Sequence, residues 1–283
     1  MTENRPGFDF ACHAILIVGV LILAFPIWVA LVGSTHTQER MLVSPLPLWF
    51  GGEAIANYNT VLFGGTGTGF RQAGLTVALT NSLVMALGIT IGKIAISSVA
   101  AFAIVYFRFP FRKIAFWTIF LTLMLPVEVR IIPTYEVVSD LNMLDSYSGL
   151  ILPLIASATA TFLYRQFFLT IPDELAEAAR IDGAGPLRFF WDIVVPMSRT
   201  NTAALFVILF IYGWNQYLWP LLITTKAQYA TAVVTVTRQA TVTEAAPEWQ
   251  LVTAMAILCI LPPVLVVLFM QRHFVKGLAE VEK

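Results

Sequence analysis

Apolar residues in this chain gather in long runs separated by short polar stretches. Six of these runs, at 13–33, 75–106, 114–132, 146–168, 201–224 and 250–270, each reach about the 20 mostly apolar residues that a helix needs to cross a bilayer. Pro126 interrupts the third. The pattern predicts an all-α membrane protein with six transmembrane helices. The first run is too long for the apolar core of a signal peptide, its basic start is weak, and no small-x-small cleavage site follows it. It is expected to be a retained helix.

Lysine and arginine decide the orientation, because they accumulate in cytoplasmic loops. With the N-terminus inside, the inner segments hold Arg5, Arg108, Arg112, Lys113, Arg165, Arg180, Arg188, Arg199, Arg272, Lys276 and Lys283. The outer segments hold only Arg40, Arg71, Arg130, Lys226 and Arg238, and Lys93 falls inside a span. The bias exceeds two to one and predicts cytoplasmic N- and C-termini, with the segment 170–200 also inside.

Composition agrees with a membrane protein. The chain is 58% hydrophobic and 12% charged, where soluble domains carry about 25% charged residues. Its formal net charge is zero, so nothing marks it as a nucleic-acid binder. Cys12 and Cys259 fit no zinc spacing and no disulfide framework, and read as structural thiols. The outer segment contains GGTGTG at 64–69, but no Lys-Ser/Thr follows as a phosphate-binding Walker loop requires, so it reads as a flexible loop. HExxH and GxSxG are both missing. The chain is expected to have no catalytic residue, no metal site and no cofactor of its own.

One polar stretch stands out, DELAEAARIDGAG at 173–185. Thr170 with Asp173 resembles a capping box, and Pro172 suits a first helical turn. Leu175, Ala178, Ala179 and Asp182 recur at helical spacing, and Gly183 with Gly185-Pro186 ends the helix. LRFFWDIVV then forms a second amphipathic piece leading to Pro196. An interfacial connector would carry bulky apolar residues and basic flanks. LRFFWDIVV has them, whereas the first helix is short and alanine-rich, a surface suited to close approach by another protein.

The spacing Glu177-Ala178-Ala179, three residues, Gly183, nine residues, then Ile193 and Pro196 resembles the EAA loop of binding-protein-dependent ABC importer permeases. Val195 stands where that family usually has Leu. FRFPFRK at 107–113, LMLPVEVRIIPTYEVVSDLNMLDSYSGLILP at 123–153 and YGWNQYLWPLL at 212–222 resemble its sugar-importer branch, typified by the second permease of the maltose system. SATATFL and MQRHFVKGL add a likeness to the permeases of sn-glycerol-3-phosphate importers. The resemblance covers nearly the whole chain. It implies a type I ABC importer permease fold over residues 1–283, with a cytoplasmic coupling loop at 170–200, in a bacterial inner membrane. It implies a second permease as partner, two cytoplasmic ATPase subunits that use ATP and Mg, and an extracytoplasmic solute-binding protein. Glu177, Ala178, Ala179, Asp182 and Gly183 would then couple this subunit to an ATPase. The solute would be sn-glycerol-3-phosphate or a glycerophosphodiester, with an uncharged sugar as the alternative.

Several residues read as a solute pathway. Lys93 lies about 22 Å of helix from Arg108, too deep for its stem to reach the interface, so it should face the bundle interior or a wet cavity. Arg130 follows Glu128 just beyond Pro126, and Asn215 and Gln216 interrupt the fifth apolar run. Arg130 with Glu128, and Lys93 with a helix carbonyl, are the plain pairings; attraction of a phosphate ester is the functional one. The two amides serve interhelical hydrogen bonds or solute hydroxyls equally well. A secondary transporter or channel is the reading from a different class. It commonly needs membrane-embedded acids and repeats, but the cores of spans one, four, five and six hold no carboxylate and no convincing repeat is present.

Overall fold

The computed structural model describes residues 6–64, 74–124, 127–241 and 247–281, and of 6–9, 123, 124, 127, 128 and 272–281 the backbone alone. Every regular element among them is a helix. Met1–Thr76 with Thr235–Leu261 gathers into one unit, and Val77–Val234 with Pro262–Lys283 into another.

In the first unit, α1 (Pro6–Gly33) is apolar on all sides, with Ile15, Leu16, Val20 and Leu23 exposed. Such a helix suits lipid or another chain. Two short helices follow, α2 (Gln38–Met41) and α3 (Ala54–Phe63). Polar bonds tie this segment together: Asn57 Nδ2 donates to the Ser34 and His36 carbonyls, each at 2.9 Å.

The second unit is built around α4 (Gly74–Tyr106). Gly88 and Gly92 lie one turn apart on it, and a Cβ at either would come within 2.6 Å of Ile151 or Ile155. This is the small-residue contact that lets membrane helices approach closely. Next come α5 (Arg112–Met124) and α6 (Val127–Asp140). They flank 125 and 126, two positions of the expected third span that lie outside the described residues. The fourth expected span is a bent pair. Ser146 caps α7 (Tyr147–Ile151), Leu152–Leu154 tightens into a 3₁₀ turn, and Ser157 caps α8 (Ala158–Phe168), with a 50° bend.

Then follow α9 (Asp173–Ile181), α10 (Pro186–Phe189), a π turn (Phe190–Val194), α11 (Val195–Met197) and α12 (Arg199–Trp214), which turns 74° from the α10–α11 piece. The expected fifth span at 201–224 is not one helix: α12 ends at Asn215, and α13 (Leu218–Ile223) begins anew. Pro220 explains the break, because its ring would clash with the carbonyl of Gln216 in a continuous helix. The chain closes with α14 (Ala232–Ala240) and α15 (Trp249–Val281). Among the described residues, three helices are long and apolar enough to cross a membrane unaided, and the count rises to five if each bent pair is one span.

The two ends of the second unit are secured differently. At one end, Phe102, Tyr164, Phe168, Phe189, Phe190 and Leu209 form a buried cluster. At the other, Asn81 Nδ2 donates to the carbonyls of Gln228 (2.8 Å) and Ala230 (2.9 Å), while its Oδ1 accepts from Tyr147 Oη at 2.7 Å. Asp145 accepts there from the amides of Thr225 (2.7 Å) and Lys226 (2.9 Å) and from the Thr225 hydroxyl.

Candidate functional site

The stretch that the sequence singled out is α9. Asp173 and Glu174 lie in its first turn and Arg180 in its last, each sign matched to the helix dipole. Pro172 occupies the capping position rather than the first turn, and Thr170 Oγ1 donates backwards to the Phe167 carbonyl, so no capping box forms. The inward face is Leu175, Ala176 and Ala179, packed on the aromatic cluster. Their small side chains let the helix lie close to Phe168 and Phe189. Glu177, Ala178, Asp182 and Gly183 point away into solvent, while Ala179 is 6% exposed and belongs to the packing beneath.

The helix stops in a Schellman turn. The Gly183 amide donates to the Arg180 carbonyl at 3.1 Å and the Ala184 amide to the Ala179 carbonyl at 2.8 Å. Gly183 has φ +72, and a Cβ there would meet nothing within 4 Å. The demand for glycine is therefore conformational, not steric.

Beyond the turn, Phe189 and Phe190 anchor the α10–α11 piece. Phe190 lies 4.9 Å from Phe102 and Phe189 5.1 Å from Tyr106, ring centre to ring centre. The Tyr106 hydroxyl donates to the Phe168 carbonyl at 3.3 Å, and that of Tyr164 to Thr202 Oγ1 at 2.9 Å. A cavity of about 520 Å³ lies beneath α9, with Arg108, Arg180, Ala176 and Phe189 in its wall. Ile181 is 85% exposed and Leu187 74% exposed, so the outward surface carries apolar as well as charged groups. Ile181 falls outside the spacing of Leu175, Ala178, Ala179 and Asp182, which is the signal that could have placed it outward. This constellation is suited to being gripped and moved as a body.

The second group lies along α4 and α12. Lys93 is 6% exposed, and its Nζ sits 3.8 Å from the centre of the Tyr212 ring, so the cation faces an aromatic π-surface. Arg130 is half-buried on α6. Gln216 Nε2 donates to the Tyr212 carbonyl at 3.1 Å. Lys93 and Gln216 are thus brought together at Tyr212, a residue that sequence reasoning missed. Asn215 caps α12 with its side chain exposed, and the side chain of Glu128 lies outside the described residues. A buried cation such as Lys93 can attract an anion.

A family model described as "Binding-protein-dependent transport system inner membrane component" matches residues 93–280. The chain is 56% identical, over all of both chains, to the sn-glycerol-3-phosphate transport system permease proteins UgpE of Yersinia pestis and Pectobacterium atrosepticum. It is also 56% identical to that of Agrobacterium fabrum over the same full extent. Among solved structures it resembles a chain of a bacterial ABC transporter involved in the import of the acidic polysaccharide alginate. The TM-score is 0.80 at 18% identity, covering 97% of this chain and 99% of that one.

Proposed function

The chain belongs to the family of binding-protein-dependent transport system inner membrane components, and we propose that it is one of two permease subunits of an ATP-driven importer of sn-glycerol-3-phosphate or its diesters. It is a transport component, not an enzyme. Full-length identity of 56% to sn-glycerol-3-phosphate permeases carries the assignment of solute. The buried cation Lys93 supports it, since a phosphate monoester needs positive charge along its path. Residues 1–283 form the membrane subunit, and 170–200 its cytoplasmic coupling loop.

In this reading α9 seats in a cleft of one ATPase subunit, presenting Glu177, Ala178, Asp182 and Gly183, with Ala179 holding the helix to the spans. ATP and Mg are bound by the two ATPase subunits. Closing of their dimer shifts α9, and the aromatic cluster passes the motion to α4, α8 and α12. The solute-binding protein delivers its load at the opposite end, and each partner biases a two-state equilibrium through contacts it makes in one state only.

Uptake of labelled sn-glycerol-3-phosphate by cells carrying the whole importer, in a strain with no other route, tests the proposal. Accumulation is expected, and it should vanish when the partner ATPase cannot hydrolyse ATP. Lys93→Met and Arg130→Gln should each weaken uptake about tenfold, the range for a lost bond to a charged group, with assembly and basal hydrolysis kept. Preference for an uncharged sugar, or uptake that survives without hydrolysis, overturns it.

A further inference from the structure

On the flank of the second unit, between α5 and α8, lies a groove of about 360 Å³. Arg112, Lys113 and Arg165 line it together with Phe116, Trp117 and Phe162, and no carboxylate does. Two of the cations are held in place. Arg112 donates to the carbonyls of Val105 (3.4 Å) and Phe107 (3.3 Å), which lie at and just past the C-terminal end of α4. Arg165 lies 4.7 Å over the Phe116 ring and donates to Gln166 Oε1 at 3.2 Å. Lys113 is exposed and has no hydrogen-bond or ion-pair partner among the described residues. Arg112 and Lys113 also open α5, where the helix dipole disfavours cations. An anion set among them would relieve that cost and meet the unpaired amides of the first turn.

The surroundings decide which anion. Ile114, Trp117 and Leu121, spaced along one face of α5, are 61%, 56% and 63% exposed. Leu169 at the end of α8 is 54% exposed. This is an apolar stripe running away from the cations, with a tryptophan at their level as in membrane interfaces. A soluble phosphate would use the cations and ignore the stripe; an acyl chain uses both. These three cations also stand on the side that the lysine and arginine distribution places in the cytoplasm.

We propose that this groove is a binding site for an anionic phospholipid of the cytoplasmic leaflet. Its phosphate lies among Arg112, Lys113 and Arg165 and its acyl chain along Ile114, Trp117 and Leu121. The site is independent of the transported solute. It fixes the flank next to the α4–α5 turn, on the same aromatic end that carries α9.

The test uses the intact importer, purified and stripped of lipid, with phosphatidylglycerol and phosphatidylcholine added in turn and retained lipid read by native mass spectrometry. Wild type is expected to retain phosphatidylglycerol in preference. At roughly fivefold for each cation lost near an anionic lipid, K113Q/R165Q should lose about 25-fold, and K113R/R165K should keep most of the binding. If K113Q/R165Q does not assemble, Lys113→Gln alone, at an exposed and unpartnered side chain, should cost about fivefold. Equal retention of phosphatidylcholine overturns the proposal. So does unchanged retention in the assembled glutamine variants, or displacement by millimolar soluble sn-glycerol-3-phosphate, which would make the groove a free-phosphate site.

Discussion

The Val77–Val234 unit is tied by rings at one end and by hydrogen bonds at the other. Phe102, Phe168, Phe189 and Phe190 seat the loop bearing α9 by apolar contact, and few polar bonds cross between its elements. At the far end Asn81 and Asp145 reach across the chain to hold the segment after α13 through its own backbone. Apolar packing is non-directional and lets a block tilt while staying in contact. Hydrogen bonds are directional and weaken steeply when misaligned. The ring end can thus tilt while it stays packed, and the polar end holds one arrangement or releases it.

The sharpest way to break this contrast is to empty the ring cluster. Phe190→Ala should cost about 3–5 kcal/mol, as large aromatic truncations do in packed interiors, and should abolish uptake by freeing the loop. Thermal unfolding of the purified complex, with uptake at matched expression, reads it; a near-normal melting point with full uptake would contradict the anchoring role. Asn81→Leu attacks the other end. It strands the Gln228 and Ala230 carbonyls and the Tyr147 hydroxyl, at about 1–3 kcal/mol for an unsatisfied buried group. Increased hydrogen exchange should then appear around 145–149 and 224–232 and leave α9 protected. Spread of the effect to α9 would show that the two ends are one cooperative body.

Gly183 sharpens the contrast within the ring end. Gly183→Val must hold a β-branched residue at φ +72, a strain of about 1–3 kcal/mol, and should depress coupled uptake about tenfold. Gly183→Asn, which tolerates that conformation and has open space around it, should retain most of it. Equal loss in both variants would point to the side-chain surface rather than to the turn.

The smallest expected effect concerns acid. Burial pushes the Asp145 carboxyl up, but the Thr225 hydroxyl, the Lys226 and Thr225 amides and the Lys226 charge together hold it below the usual carboxylate range. A depressed value in the folded state means that this contribution is fully present above the ordinary pKa of about 3.9 and fades as pH falls through the lowered one. The difference in melting temperature between the protein and its Asp145→Asn variant should stay constant above about pH 5 and shrink in stronger acid. A difference that instead grew on acidification would reverse the assignment.

Much of the ring end was legible in the sequence because it is local. Gly183, Pro186 and the Glu177-Ala178-Ala179 spacing all act within a few turns, and local rules place a helix, its stop and a second helix. Which alanine turns inward was not legible. Ala178 and Ala179 are equal in propensity, and only the cluster beneath selects Ala179. The deep position of Lys93 followed from counting residues, but its Tyr212 partner lies on a helix more than a hundred positions away. The same holds for Asn81, whose carbonyl partners are 147 and 149 residues distant. The break at Asn215 had a signal in Pro220, outweighed by the continuity of the apolar run.

The 74° turn at Ser198 has a mechanical consequence. Ser198 is buried, and its hydroxyl donates back to the Val194 carbonyl, a bond that bends helices. The α10–α11 piece on one side is about 18 Å long, and α12, with 16 residues, about 24 Å. Two rigid arms joined near a right angle act as a bell crank. A displacement of the tip of the short arm becomes a swing of the tip of the long arm, enlarged by about their length ratio of 1.3. An ångström of travel at the tip of α10 would thus become more than an ångström at the far end of α12.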